Sequence, residues 1–311
     1  MPACDEHPMR TASLKPAASL EPDPAEAAAR PRIPFLVAGG TGTPLVFLHA
    51  NGFPPECYQP LLQLLATRYR TRAMYLRPLW PAAQPEDVDD WQILSRDLLR
   101  FLDEQGWDKV IAVGHSMGAV AALRAALWAP ERFAALALLE PVLLPRHVML
   151  EWRLVRSLGL GERLHPLIPG ALKRQREFAS LESAFERYRA RPIFRYFSDE
   201  ALRIYIAGMT TGSPGKGFRL TYSPEWEARI YDTGVWNDGD LWRGMPGLRV
   251  PTLMVRGLES DTFRESTSRA LERANAQVRI AVVERSTHLL PLERPQRIFE
   301  IVHAYMEKSV R

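Results

Sequence analysis

The sequence predicts an α/β protein with a mostly parallel central sheet, flanked by helices and interrupted by one helical insertion. Short apolar runs alternate with stretches of helical spacing, first over residues 32–140 and again over residues 248–311. Such alternation is typical of parallel sheets with helices on both faces. Residues 141–247 carry amphipathic helical stretches rich in aromatic residues and no clear strand. We therefore expect a core made of the two flanking segments, with residues 141–247 as a helical cap.

The predicted elements of the core follow one another in a regular order. Short apolar runs predict the strands, and apolar residues at every third or fourth position predict the helices. The predicted strands cover residues 35–37, 45–48, 72–76, 109–113, 133–139, 250–255 and 278–283. The predicted helices cover residues 60–67, 90–105, 117–128 and 293–306. Residues 1–31 are rich in alanine and proline without a hydrophobic period, which predicts a disordered tail.

The charge of the chain is mild and unevenly distributed. The formal net charge is +4, and the whole excess lies in residues 141–247, which carry 16 Lys+Arg against 12 Asp+Glu. This excess is too small to predict a nucleic-acid partner. It indicates a solvated helical surface, and the alternative is a basic face that attracts anionic substrates or a membrane surface.

Cysteine usage and hydropathy limit the class of protein. The two cysteines, Cys4 and Cys57, fit neither a metal-ligand spacing nor a disulfide framework. The sequence shows no apolar amino-terminal segment of the secretory type and no uncharged stretch long enough to span a membrane. We therefore expect a cytoplasmic protein that uses no metal and no other cofactor.

The pentapeptide Gly114–Gly118, with the sequence Gly-His-Ser-Met-Gly, joins a predicted strand to a predicted helix. This G-x-S-x-G pattern in that setting predicts a nucleophile elbow, a sharp turn that exposes a serine hydroxyl at the carboxyl edge of the sheet. Both flanking residues must be glycine because side chains there would clash with the backbone. Ser116 is therefore the candidate nucleophile.

His288 is the candidate base, because a serine hydroxyl needs a base within hydrogen-bond reach to act as a nucleophile. It follows the last predicted strand, from where a loop can bring its imidazole over the elbow. The six other histidines lie in the tail, in the insertion, in the last helix, or close to the elbow, where we expect supporting roles. They are His7, His49, His115, His147, His165 and His303.

Asp261 is the candidate acid that would orient His288. It follows the strand over residues 250–255, and the order Ser116, Asp261, His288 is the order of nucleophile, acid and histidine known for this kind of elbow. Two alternatives remain open at this point. Glu140 directly ends the strand over residues 133–139, and Glu259 lies on the same loop as Asp261.

The candidate oxyanion hole consists of two backbone amides. One is the N–H of Met117, which directly follows the nucleophile. The other lies in the segment His49–Pro55, after the first core strand, where Gly52 permits an unusual turn. We expect the N–H of Phe53 to be this second donor, with Asn51 or Gly52 as alternatives.

Together, these four motifs resemble the α/β-hydrolase superfamily, in its cap-bearing serine esterase and lipase branch, over residues 34–307. The resemblance implies a helical cap over the site, Ser116 as nucleophile, His288 as base and Asp261 as acid, with the two backbone donors named above. The serine at position 116 separates this chain from haloalkane dehalogenases and epoxide hydrolases, whose members carry aspartate there.

Three further residues are candidates for the wall of the substrate pocket. Residues 77–80, Arg-Pro-Leu-Trp, replace the glycine-rich loop that many members of the superfamily have after the second core strand. Trp80 is therefore a pocket candidate. Asn51 in the oxyanion segment and Leu289 beside the base are the other two.

The resulting functional hypothesis is hydrolysis of a carboxylic ester in a small-molecule substrate, through an acyl-enzyme and without a cofactor. The many aromatic residues of the insertion suggest a sizeable apolar acyl or aryl group, although such residues more often form a packed core. The same residues would also serve a lactonase, a C–C bond hydrolase or an acyltransferase. A slow-turnover ligand-binding protein is the alternative outside the enzymes, and the oligomeric state is not predicted.

Overall fold

The computed structural model describes residues 31–310. The predicted tail over residues 1–31 therefore lies outside the described residues, apart from its last position. The described chain forms a large sheet with helices on both faces, and one long segment is inserted between two neighbouring strands of that sheet.

Two sheets are present in the described part of the chain. The strands are β1 (Phe35–Gly39), β2 (Pro44–Leu48), β3 (Arg70–Met74), β4 (Val110–His115), β5 (Phe133–Leu139), β6 (Glu177–Phe178), β7 (Thr210–Ser213), β8 (Gly217–Leu220), β9 (Thr252–Gly257) and β10 (Val278–Val283). Seven of them form the large sheet in the order β1-β3-β2-β4-β5-β9-β10. Within this large sheet, only the β1–β3 pair is antiparallel, which confirms the predicted mostly parallel sheet.

The helices of the core agree with the sequence pattern except for two, over residues 265–274 and 290–293, which were not predicted. The α-helices of the described chain are α1 (Gln59–Ala66), α2 (Gln92–Glu104), α3 (Met117–Trp128), α4 (Arg146–Ser157), α5 (Gly161–Leu164), α6 (Ile168–Leu172), α7 (Leu181–Arg189), α8 (Asp199–Met209), α9 (Pro224–Thr233), α10 (Gly239–Gly244), α11 (Glu265–Ala274), α12 (Leu290–Glu293) and α13 (Pro295–Ser309). The predicted helices correspond to α1, α2, α3 and α13. None of the helices within residues 31–310 is long and apolar enough to cross a membrane.

The core lies on both faces of the large sheet. Along β4, Val110 and Ala112 pack into one apolar cluster, and Ile111 and Val113 pack into the other. This division follows from the alternation of side chains across a strand. Because both faces of β4 are buried, the strand reads as a continuous apolar run, and its carboxyl end is held firmly where the elbow begins.

The inserted region, residues 141–247, differs from the expectation in one respect. It is mostly helical, but β6, β8 and β7 form a small antiparallel sheet within it. The expectation of no strand in this region was wrong. These strands are only two to four residues long and contain Gly212, Ser213 and Gly217, so they are too short to show the apolar alternation by which strands are detected.

Candidate active site

The turn between β4 and α3 has the backbone of a nucleophile elbow. Ser116 has φ +56° and ψ −118°, a conformation that non-glycine residues adopt only where the surrounding structure enforces it. A Cβ atom on Gly114 would lie 2.5 Å from the carbonyl oxygen of Gly118. A Cβ atom on Gly118 would lie 2.5 Å from the carbonyl oxygen of Leu48. Both glycines are therefore required by close backbone contacts.

The structure brings His288 to Ser116. The Nε2 atom of His288 lies 3.0 Å from the Oγ atom of Ser116. The two residues are far apart in the sequence, since Ser116 follows the central strand β4 and His288 follows the edge strand β10. In a parallel sheet, both of these loops lie at the carboxyl edge, which explains the contact.

Glu140, rather than Asp261, is the carboxylate at the outer nitrogen of His288. Its Oε2 atom lies 3.2 Å from the Nδ1 atom of His288, and the side chain of Glu140 is fully buried. Two further donors hold this carboxylate: the backbone N–H of Gly257, 2.6 Å from Oε1, and the hydroxyl of Ser260, which donates to Oε2. The expected contact between Asp261 and His288 is therefore wrong, and the alternative acid Glu140 occupies the position.

The loop after β9 explains why Asp261 does not reach the histidine. The N–H of Ser260 donates to the carbonyl of Gly257 at 3.2 Å, which turns the chain tightly. Asp261 is exposed beyond this turn, and its carboxylate accepts a hydrogen bond from the Thr262 hydroxyl.

Glu259, the third candidate acid, lies on the surface of the same loop. Its carboxylate pairs with Arg195 at 3.0 Å and accepts a hydrogen bond from the Tyr196 hydroxyl at 2.6 Å. Glu259 is therefore engaged with the inserted region instead of with His288.

A chain of buried hydrogen bonds links the oxyanion segment to the loop of the base. The N–H of Ala50 donates to the Tyr58 hydroxyl, which lies 2.7 Å from the Nδ1 atom of His115. The Nε2 atom of His115 lies 2.8 Å from the carbonyl oxygen of His288. Burial lowers the pKa of His115 well below its usual value, so the ring is neutral. Nε2–H then donates to the carbonyl of His288, and Nδ1 accepts from Tyr58.

The loop of the base is held by a second carboxylate that the sequence analysis did not single out. The carboxylate of Glu293 accepts hydrogen bonds from both the backbone N–H and the hydroxyl of Thr287, each at 2.7 Å. Tyr58 and Ser260 were missed as well. None of the three stands out in the local sequence, and only the tertiary contacts show that they support the site.

The oxyanion segment forms a turn over residues 50–53. The N–H of Phe53 donates to the carbonyl of Ala50 at 3.3 Å, and Gly52 has φ +76°, as a type II turn requires at its third residue. Met117 is the first residue of α3, where a backbone N–H has no partner within the helix. Both amides stay predicted donors, and Phe53 would have to exchange a long turn hydrogen bond for one to the substrate.

The side chain of Asn51 is held by the inserted region. Its Nδ2 atom donates to the carbonyl of Glu227 at 3.0 Å, and its Oδ1 atom accepts from the Tyr222 hydroxyl at 2.9 Å. The Glu227 carboxylate in turn pairs with Arg174 at 2.7 Å. Asn51 therefore fixes the oxyanion segment to the inserted region, and its amide group is occupied by these contacts.

The other two pocket candidates are engaged elsewhere. The indole N–H of Trp80 donates to the carbonyl of Tyr75 at 2.6 Å, and the ring lies about 5 Å from the guanidinium groups of both Arg77 and Arg100. Leu289 is buried in an apolar cluster of the core. Neither residue makes a recorded polar or ring contact with Ser116 or with the His288 imidazole.

The part of the chain that the structure describes contains no group of three or more His, Cys, Asp or Glu side chains arranged to hold a metal ion. Cys57 is a free, buried cysteine, and burial raises the pKa of its thiol well above the usual value. The side chains that the structure brings together at the elbow by hydrogen bonds are those of Ser116, His288 and Glu140.

Comparison with known proteins gives a consistent fold and varied activities. A family model described as "Alpha/beta hydrolase family" matches residues 45–301. Epoxide hydrolase 3 from Siraitia grosvenorii is 26% identical over 315 aligned residues, which cover 88% of this chain and 94% of that protein.

Two solved structures share the fold over most of their length. E-2-(acetamidomethylene)succinate hydrolase aligns with a TM-score of 0.68 and 18% identity, covering 86% of this chain and 93% of that one. A thermophilic esterase from Thermogutta terrifontis aligns with a TM-score of 0.63 and 21% identity, covering 90% and 94%. At these identities the structures show the fold alone. The predicted α/β-hydrolase superfamily is therefore confirmed, whereas the esterase and lipase branch is not, since the curated relative above is named an epoxide hydrolase.

Proposed function

Because this chain belongs to the alpha/beta hydrolase family, we propose that it is a serine hydrolase that cleaves a carboxylic ester through an acyl-enzyme on Ser116. The observation that supports this most directly is the alignment of three side chains. Ser116 Oγ lies 3.0 Å from one nitrogen of His288, and the Glu140 carboxylate lies 3.2 Å from the other. This is the arrangement of nucleophile, base and orienting acid that acyl transfer requires.

In the proposed mechanism, Nε2 of His288 accepts the hydroxyl proton of Ser116 while Oγ bonds to the ester carbonyl carbon. The carbonyl π electrons move onto oxygen, and the resulting oxyanion is stabilised by the amides of Met117 and Phe53. Collapse of the tetrahedral intermediate breaks the bond to the alcohol, which leaves with the proton from His288. Water then adds to the acyl group in the same way, and the carboxylic acid departs as Ser116 regains its proton.

Glu140 takes the role that the sequence analysis had assigned to Asp261. As a buried carboxylate, it accepts the Nδ1–H of His288 and fixes the tautomer whose Nε2 faces the serine. It also stabilises the imidazolium that forms once the proton has moved. The two donors on its other lone pairs keep it in place during this change.

The similarity to an epoxide hydrolase does not make epoxide opening the better proposal. Attack of a serine hydroxyl on an epoxide carbon would form an ether. An ether has no carbonyl carbon that water could attack, so the enzyme would be left alkylated after one event. An ester substrate gives an acyl-enzyme that water can hydrolyse, and Ser116 therefore favours ester cleavage.

The aromatic residues of the inserted region do not define the substrate. Several of them pack on one another within the apolar cluster that also covers one face of the large sheet; they are Tyr188, Phe194, Phe197 and Tyr205. Their rings stand 5.1–6.2 Å apart, and all four are buried. The interpretation of these rings as cap core is therefore favoured, and we make no proposal for the size of the acyl group.

A comparison of the wild type with Ser116→Ala tests the proposal. We expect the wild type to hydrolyse p-nitrophenyl esters, and the variant to lose at least ~1,000-fold in kcat. A fluorophosphonate probe should add its phosphonyl group to the wild type only, as measured by intact mass. Formation of a diol from styrene oxide, or unchanged ester turnover in Ser116→Ala, would contradict the proposal.

A further inference from the structure

One face of the inserted region exposes an unusual number of leucines. Leu150, Leu154 and Leu158 follow one another at intervals of four residues along α4 and its end, so they lie on one side of the helix. Their exposed fractions are 66%, 61% and 64%. Apolar side chains on this side of α4 are therefore directed to solvent, while Met149 on the other side is buried.

The exposed leucines continue into the two short helices that follow. Leu164, Leu167 and Leu172, in and beside α5 and α6, expose 54%, 51% and 46% of their surface. These six leucines, which we call the leucine face, make up half of the twelve large exposed apolar side chains within residues 31–310. They lie within 23 residues of sequence. Such a concentration marks an interaction surface rather than random surface variation.

Positive charge surrounds the leucine face. Arg146 and Arg153 are exposed on α4, and Lys173 is exposed directly after α6. None of the ion pairs recorded among the described residues involves these three side chains. Glu151 is the one acidic residue of α4. The third arginine of this helix, Arg156, pairs with Asp232. The exposed charge at the rim of the face is therefore predominantly positive.

From this combination we infer that the leucine face docks on an anionic lipid surface. A helix that presents leucines on one side and arginines beside them suits the boundary between acyl chains and headgroups, where both kinds of side chain find a partner. A second copy of the chain fits less well, because a symmetric contact would bring the same basic rims together. This inference goes beyond the proposed hydrolysis and does not depend on it.

Vesicle binding of the purified full-length chain tests the inference. We expect co-sedimentation with vesicles of phosphatidylcholine and phosphatidylserine, weak binding to phosphatidylcholine alone, and weaker binding as salt is raised. Combined substitution of Leu150, Leu154 and Leu158 by Gln should lower the ratio of bound to free protein at least ~10-fold. Arg146→Gln and Arg153→Gln should each lower it about fivefold.

Matched controls separate docking from a general change in surface. Leu258 and Ile193 are each 53% exposed and lie outside the leucine face, so Leu258→Gln and Ile193→Gln should leave binding unchanged. Circular dichroism and hydrolysis of a water-soluble ester should be the same in the triple leucine variant and the wild type.

Three results would overturn the inference. The first is that the wild type does not bind anionic vesicles. The second is that the control substitutions reduce binding as much as the leucine substitutions do. The third is a concentration-dependent dimer that the triple variant cannot form, which would assign the face to a second copy. If neither the wild type nor any variant hydrolysed esters, only the proposed function would be contradicted, since vesicle binding is measured separately.

Discussion

Glu140 reaches His288 because its backbone adopts an unusual conformation directly after the end of β5. The residue has φ +50°, a left-handed conformation that a long side chain adopts only when its surroundings hold it. Its N–H still donates to the carbonyl of Val255, which continues the β5–β9 pairing. The side chain then turns under the loop after β9 and meets three donors, one of which is the imidazole of the base.

At this position, substitution distinguishes the two candidate acids. Glu140→Gln keeps the volume but removes the negative charge, and its amide can present an N–H toward the histidine, which favours the wrong tautomer. We expect kcat on a p-nitrophenyl ester to fall by ~100- to 10,000-fold. Asp261→Asn, on the exposed loop, should change kcat less than about twofold. Equal losses of kcat in the two variants, or a greater loss in Asp261→Asn, would contradict the assignment of the orienting acid to Glu140.

The two candidate acids show where sequence reasoning reaches its limit for single residues. Ser116 and His288 follow predicted strands, and the parallel sheet brings both to one edge. Glu140 and Asp261 also follow strands, and both fit that edge equally well. The choice depends on which loop turns inward, and this is decided by the tight turn at Ser260 and the left-handed conformation of Glu140. Neither feature leaves a signal in local sequence.

At the level of elements, a buried ion cluster ties the elbow helix α3 to the end of the inserted region. The guanidinium of Arg124 is almost completely buried, pairs with Asp238, and lies 2.8 Å from a carboxylate oxygen of Asp240. Asp240 belongs to α10 and Asp238 immediately precedes it. Since α3 begins directly after the candidate nucleophile Ser116, the ion cluster connects the inserted region with the helix that supports this serine.

Removal of the cation should therefore destabilise the protein strongly. Arg124→Ala would leave the buried carboxylate of Asp238 without its partner, which costs about 3–5 kcal/mol in the free energy of unfolding. Urea unfolding, followed by circular dichroism, measures the loss. Arg203→Ala is the matched control, because its pair with Glu182 is exposed to solvent, and we expect a much smaller loss there. A loss of similar size in the two variants would show that the buried cluster is no stronger than a surface pair.

The elements themselves were largely predictable because the core follows simple periodicities. Buried strands such as β4 and β5 read as continuous apolar runs, and α2 shows apolar residues at helical spacing. The small sheet β6-β8-β7 was not predictable by this means. Its strands are only two to four residues long, too short for a periodicity to appear, although Phe178, Phe218 and Leu220 pack against an apolar cluster of the core.

For the whole molecule, buried histidines link stability to pH. His49 and His115 are fully buried beside the oxyanion segment and the elbow, and each uses both ring nitrogens in hydrogen bonds. Burial lowers the pKa of His49 to about 4 and that of His115 well below its usual value. In the unfolded chain both rings titrate near the ordinary histidine pKa of about 6.5.

The sign of the pH effect follows from where protons bind. Between pH 6.5 and pH 4, the unfolded chain takes up protons on these rings and the folded protein does not, so acid favours unfolding. His49 should therefore lower the free energy of unfolding by about 2 kcal/mol between pH 7 and pH 5, and His115 acts in the same direction. Asp97, Asp238 and Glu293, whose pKa values are raised by burial, act in the opposite direction. A histidine variant is therefore needed to separate the contribution of the histidines to the pH dependence of stability from that of the carboxylates.

His49→Gln provides that isolation. The amide of glutamine does not titrate in this range, so the variant should be less stable than the wild type at pH 7 but should lose about 2 kcal/mol less on going to pH 5. Urea unfolding at the two pH values gives both numbers. If His49→Gln kept the full pH dependence, the neutral buried state of His49 would not be a source of the acid sensitivity of this fold.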